Sequence, residues 1–216
     1  SLIISQNVIY SDTTSTLRTD VVEMNIKTKD VDVKVAHLIK KRWSTRAFSN
    51  QQISNEQIAT LFEATRWTAS SMNEQPWSYI YAKKGSEAYD KMVDCMMDGN
   101  KPWAKNASIV VLSLAKKNFD YNDFDNRHYL YDIGAANTTL LLQAADMDIY
   151  GHLIGGFEME KAVKAFEVPA TLEIACFISL GFLDDAETLE EPFKSRELSP
   201  RPRKEISEFA FEGKLG

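Results

Sequence analysis

Residues 127–147 limit what this chain can become more than any other segment. Their middle, Ile133-Gly134-Ala135-Ala136 and then Leu140-Leu141-Leu142, is apolar around much of a helical circumference. A helix of that kind has no solvent face wide enough to stand at a surface, so it belongs in a core or against another subunit. Gly134, Ala135 and Ala136 allow a neighbouring backbone to come close. Asn137, Thr138, Thr139 and Gln143 interrupt the stretch Ile133–Ala145, which falls well short of the ~20 apolar residues a membrane span needs. No transmembrane helix and no membrane partner is expected. The whole chain, 216 residues with 44% hydrophobic and 26% charged, suits one soluble domain with a sizeable core.

Around this helix the periodicities predict an alternation of helices and strands. From Asp32 the pattern is helical, with Val35, Leu38 and Ile39 on one face and Lys40-Lys41-Arg42 at its end. Ile53-Ser54-Asn55-Glu56-Gln57-Ile58 signs a second start: Ser54 caps, Gln57 reaches back and Ile53 staples to Ile58, opening a helix over about 55–67. Alternating Trp77, Tyr79 and Tyr81 predict a half-buried strand. A Ser86-capped helix over 86–97 follows, then a strand over 107–114 whose Ile109-Val110-Val111-Leu112 run is buried on both faces. After Gly151 a short segment leads to Gly155-Gly156-Phe157, then a helix near 158–166, a strand over 173–180 and a last short element over 204–211. Residues 1–25, rich in Ser, Thr, Asp and Asn, have neither a helical period nor the segments of a signal peptide. They are expected to precede the domain of residues 26–216 as an extension, with Met24 available as a start.

Charge and special residues narrow the function. A net charge of −6 disfavours tracking of a phosphate backbone, so no nucleic-acid partner is expected. Cys95 and Cys176 lie far apart with no Cys/His spacing, which predicts neither disulfide nor zinc site and fits a reducing cytoplasm. His37, His128 and His152 are too scattered to ligate a metal unaided, and each reads as a structural or surface histidine. The serine-hydrolase, P-loop, zincin and dinucleotide-binding signatures are all missing.

Three features remain. In Lys41-Arg42-Trp43-Ser44-Thr45-Arg46, the five positions from Arg42 to Arg46 hold two guanidinium forks with hydroxyls between them, a set that suits a phosphate or a basic helix end complementing its own dipole. Thr68 to Trp77 is a polar loop dense in amides and hydroxyls between a helix and a strand, either a ligand-reading loop or an ordinary turn. In Ile154-Gly155-Gly156-Phe157 the paired glycines let a backbone N–H approach a flat ligand, or simply make a turn.

Taken in order, Arg42-Trp43-Ser44-Thr45-Arg46, then Ser70-Ser71-Met72-Asn73-Glu74-Gln75-Pro76-Trp77, the helix carrying Asp132, Gly134, Ala136 and Asn137, then Gly155-Gly156-Phe157 and finally Arg201-Pro202-Arg203-Lys204, resemble the FMN-dependent nitroreductase family over about residues 32–209. The resemblance implies an α+β fold, a mixed central sheet flanked by helices, in an intertwined homodimer with FMN at the subunit interface. It assigns Arg42, Trp43, Ser44 and Arg46 to the FMN phosphate and ribityl chain. It assigns Ser70, Ser71, Met72, Asn73 and Gln75 to the flavin edge, partly from the neighbouring subunit, with Asn73 best placed for the ring. The Gly155 backbone N–H matches a position near flavin N5, with Gly156 beside it. A C-terminal basic pair completes the phosphate site; Arg201 and Arg203 are preferred to Lys194 and Arg196.

The implied activity is oxidoreduction. NADH or NADPH gives hydride to flavin N5, and a nitroaromatic, quinone or similar small acceptor then takes two electrons in a ping-pong cycle, with no side chain acting as acid or base. The chain departs from its relatives in the short stretch 116–126, where Phe119, Tyr121 and Phe124 are expected to rim a more open substrate pocket or to pack as an ordinary loop. Two other readings stand beside this one: a non-catalytic FMN-binding or regulatory module, and a specialised flavin reaction such as reductive dehalogenation. The nine basic residues Lys40, Lys41, Arg42, Arg46, Lys194, Arg196, Arg201, Arg203 and Lys204 fall in two short windows of an acidic chain, which suggests one small anion site.

Overall fold

A computed structural model describes residue 32 and residues 34–216. The expected extension, 1–25, and the first residues of the domain expected from 26 lie outside the described residues. These form two compact units, one of Ala36–Leu198 and one of Ser199–Gly216 with the described residues up to Val35.

In the larger unit α1 spans His37–Lys41, α2 Asn55–Arg66, β1 Trp77–Lys83, α3 Glu87–Asp94, α4 Lys101–Ala104, β2 Ile109–Lys116, α5 Tyr129–Asp146, β3 Ile149–Ile154, α6 Met159–Ala165, β4 Leu172–Phe182 and α7 Phe193–Leu198. The α2 capping box forms as expected, Ser54 Oγ accepting from the Gln57 N–H and Gln57 Oε1 from the Ser54 N–H. Ser86 caps α3 through the Tyr89 N–H. The first helix is shorter than its apolar pattern suggests, since Asp32 Oδ1 takes the Lys34 N–H and its carbonyl the Val35 N–H, a local turn that competes with helix.

The strands lie in the order β1-β2-β4-β3. The resemblance implies a mixed sheet; here every pairing among the described strands is antiparallel. The reason is topological. β2 and β3 run in the same direction across the α5 crossover, but β4 inserts between them, so no two neighbours are parallel. β2 is buried along its length, as its apolar run requires. Ile109 and Val111 face a cluster with Ile58 and Leu61 of α2 and Leu140, Leu141 and Ala144 of α5, while Val110, Leu112 and Leu114 face a second cluster with Met92 of α3, Trp103 of α4 and Ala162 of α6. The sheet is therefore the middle of three layers.

The long helix finds its core within the chain. Ile133, Ala136, Leu140, Leu141, Ala144 and Ala145 are buried, and of its apolar residues Leu130 and Tyr131, in the first turn, are exposed. Asn137, which breaks the apolar run, is buried with its bonds made: Oδ1 accepts from Tyr79 OH and Ser113 Oγ, each at 3.0 Å, and Nδ2 donates to Cys176 Sγ at 3.6 Å.

Sequence periodicity misses β3, α4 and α7 and lets α3 run past Asp94. In β3, Gly151 reads as a break but serves the strand: a Cβ there would collide with Leu141 Cδ2 and stand 2.8 Å from Leu180 Cδ2. The glycine is what lets α5 lie this close to the sheet. In the smaller unit, the element expected over 204–211 reduces to a 3₁₀ turn at Ile206–Glu208.

Candidate functional site

The segment after α1 is built by alternation. Trp43, Thr45 and Ala47 are buried while Arg42, Ser44 and Arg46 are more exposed, so the two guanidinium groups and the hydroxyl leave an extended backbone on one side. The segment climbs beside β3 in step with it. Lys41 Nζ pairs with Asp148 at 2.7 Å, Trp43 lies edge-on to Tyr150 at 6.2 Å between ring centroids, and the Thr45 carbonyl accepts from His152 Nδ1 at 2.9 Å. Trp43 thus packs inward and holds the segment. The Ala47 N–H donates to Thr45 Oγ1 at 3.1 Å, closing a local side-chain turn around Arg46, and Phe48 then bridges to Leu183 beyond β4.

Arg46 sits at that turn, half-buried, its guanidinium 5.6 Å above the Trp103 ring. It makes no ion pair among the described residues. Burial lowers its pKa; the Glu197 charge opposes that shift and the Arg196 charge adds to it. Trp103 is 1% exposed and stacks on His152 at 4.5 Å and on Phe48 at 6.5 Å. Its Nε1 has no acceptor among the described residues. Of the competing basic pairs, Lys194 is engaged with Glu187 at 2.6 Å and Arg196 lies near Arg46. Arg201 and Arg203 belong to the smaller unit, where Arg203 Nη1 donates to the Pro202 carbonyl at 2.8 Å.

His152 is structural, as read from the sequence, yet it touches the candidate site. A carbonyl partner requires the proton on Nδ1. Burial pushes the ring down to about 4, with the Thr45 carbonyl opposing and the Arg46 charge reinforcing the shift. The unfolded chain takes up the proton near 6.5, before the folded one, so stability present in full above 6.5 is lost as pH falls toward 4, by up to about 3 kcal/mol. Urea midpoints measured across this window should fall for the wild type and fall less for His152→Phe; equal slopes would contradict the assignment.

β3 ends at Gly155. A Cβ built there meets no atom within 4 Å, whereas one on Gly156 would stand 2.8 Å from Asn100 Nδ2. The Gly156 carbonyl accepts from the Met97 N–H and from Asn100 Nδ2, both at 3.0 Å. The residues Met97 to Trp103 therefore fix both Gly156 and the ring beneath Arg46, joining two of the three sequence features at the β3 edge.

The third feature stands elsewhere. Ser70 to Gln75 leads into β1, the opposite edge of the sheet, at the same end as Gly155. Three sheet spacings, about 14 Å, separate β1 from β3. Met72, Asn73 and Gln75 all adopt left-handed backbone, φ 55, 54 and 53°, an arrangement costing on the order of 1 kcal/mol or more per residue and held only where neighbours enforce it. Asp132, buried on α5, accepts the Ser71 N–H at 3.1 Å, and Ser70 Oγ accepts the Gln75 N–H at 2.9 Å. The side chains of Met72, Asn73 and Gln75 face solvent. Glu74 Oε1 accepts the Asp120 N–H at 2.6 Å, tying this loop to the one bearing Phe119, Tyr121 and Phe124. Phe119 and Tyr121 pair at 5.4 Å, and Tyr121 and Phe124 are 64% and 71% exposed.

Sequence reading passes over Glu197, Trp103 and Thr45. Glu197, 5% exposed on α7, accepts from Thr45 Oγ1 at 2.5 Å, from the Arg46 N–H at 2.9 Å and from the Ala47 N–H at 3.4 Å. An acid directly after Lys194-Ser195-Arg196 is the one local signal for it. No group of His, Cys, Asp and Glu able to hold a metal occurs among the described residues.

Fold and site together define a three-layer α+β protein with a cationic turn beside a glycine strand end. The nitroreductase family model matches residues 39–102 and 90–182, and the chain belongs to that family. An Archaeoglobus fulgidus protein named as a candidate NADH dehydrogenase/NAD(P)H nitroreductase is 28% identical over 158 residues, covering 71% of this chain and 88% of its own length. The major NAD(P)H-flavin oxidoreductase of Aliivibrio fischeri is 32% identical over 95 residues, 42% of this chain and 43% of that protein. The solved structure of an oxidoreductase containing FMN superposes with a TM-score of 0.80 at 29% identity, covering 86% of this chain and 95% of that one.

Proposed function

We propose that this protein is an FMN-dependent oxidoreductase that draws on NADH or NADPH and reduces a small acceptor of the nitroaromatic or quinone class. Arg46 carries the proposal: a half-buried guanidinium with an aromatic ring below it and no ion pair among the described residues has hydrogen-bonding capacity for a phosphate. The open space over Gly155 also fits a flat ring. Bound FMN would supply the hydride-accepting and electron-donating chemistry of its isoalloxazine.

Arg42, Ser44 and Arg46 would bind the phosphate end and the Gly155 backbone would border the ring. Trp43, buried against Tyr150, keeps the binding segment in place. Ser70, Ser71, Met72, Asn73 and Gln75 stand at the other sheet edge. They would meet the ring of a second copy's FMN, so the working unit would be a homodimer with two shared sites. Phe119, Tyr121 and Phe124 would line the acceptor side. None of the assigned residues needs to move a proton.

Steady-state oxidation of NADH and NADPH by FMN-loaded protein, with menadione or nitrofurazone as acceptor, tests the reading. Turnover that needs both flavin and acceptor is expected. Bound flavin with negligible turnover would instead indicate a binding module.

A further inference from the structure

We propose that Glu197 is a positioning residue, whose buried carboxylate sets the Thr45–Ala47 turn so that Arg46 is presented to an anion. The inference rests on the reading of Arg46 as a flavin phosphate contact. Residues 44–47 belong to no strand, so their N–H groups find no acceptor in the sheet. Glu197 supplies one: Oε2 takes the Arg46 N–H, while Oε1 takes the Thr45 hydroxyl and, at longer range, the Ala47 N–H. A carboxylate this deeply buried is tolerated only with its acceptor sites filled. On the far side of the same residue His152 Nδ1 donates to the Thr45 carbonyl. The turn is gripped between Glu197 of α7 and His152 of β3, 45 positions apart in sequence, and the Arg46 side chain leaves it over Trp103.

Electrostatics alone would not put an acid here. A negative charge beside an anion site weakens binding by Coulomb repulsion, so a bystander Glu197 would make FMN bind more tightly once neutralised. A positioning Glu197 gives the opposite sign. Gln at 197 keeps one oxygen but turns an amide donor toward either the Arg46 N–H or the Ala47 N–H, and takes the carboxylate's acceptor from the Thr45 hydroxyl in the second case, which loosens the turn.

The test is a comparison of FMN with riboflavin, which lacks the phosphate, by fluorescence titration of flavin-free protein. In Glu197→Gln, FMN affinity should fall by about 10-fold with riboflavin affinity unchanged. A Thr45→Val variant keeps the side chain's shape but deletes both the hydroxyl's bond to the carboxylate and its acceptance of the Ala47 N–H at 3.1 Å, and should show the same selective loss by about 3-fold; if Glu197→Gln does not fold, Glu197→Asp, which shortens the acceptor and leaves Thr45 intact, should show the selective loss in its place. Unchanged or tighter FMN binding, or equal loss for both flavins, would overturn the positioning role. Wild-type protein that binds the two flavins equally would overturn the phosphate reading of Arg46 beneath it, and is recognisable before any variant is made.

Discussion

Arg46→Ala should weaken FMN binding by about 100-fold and leave the fold almost untouched. Charge-assisted bonds to a phosphate contribute ~1.5–3 kcal/mol each, and a bidentate fork loses about 3 kcal/mol when cut back to a methyl group, on the order of 100-fold in affinity. The folded state gives up little in return. Arg46 has no ion pair among the described residues, its N–H still serves Glu197 in the alanine variant, and the contact with Trp103 contributes about 1 kcal/mol. FMN titration and urea denaturation of the same preparation separate the two effects. Unchanged flavin affinity would remove Arg46 from the site.

Trp103→Ala should be the most destabilising single change near the site, by about 3–5 kcal/mol in urea denaturation. The indole is fully buried and packs on Phe48, His152 and the Arg46 guanidinium together, so its removal opens a cavity that no one neighbour can fill. Trp103→Phe should cost far less, about 1 kcal/mol, because a ring remains and the lost Nε1 has no acceptor to strand. A similar loss in both variants would show that the indole N–H, rather than ring packing, stabilises this region.

Much of the fold is legible where a local pattern suffices. The α2 capping box, the Ser86 cap and the doubly buried β2 follow from residues within a few positions of one another. β3 is not legible, because Gly151 looks like a break until Leu141 and Leu180 are seen to press on it. The antiparallel order escapes for a similar reason: nothing local says that β4 slips between β2 and β3. At the site, the Arg-x-Ser-x-Arg residues are legible as a cluster of anion-binding groups, and the alternating burial of residues 42–47 adds that they leave the backbone on one side. What holds that display is invisible in the motif. Thr45 meets Glu197 across 152 positions and His152 across 107, and only the folded chain joins them. The long helix shows the limit of composition: its apolarity is satisfied by this chain's own sheet and α2, while the exposed Leu130 and Tyr131 are what it offers beyond them.

The central claim is that the chain holds FMN that a nicotinamide can reduce. Protein reconstituted with FMN, freed of excess flavin and titrated with NADH or NADPH without oxygen, should show flavin absorbance near one FMN per chain that bleaches in proportion to the reductant added. A colourless protein after reconstitution, or bound flavin that neither nucleotide bleaches, would contradict the account.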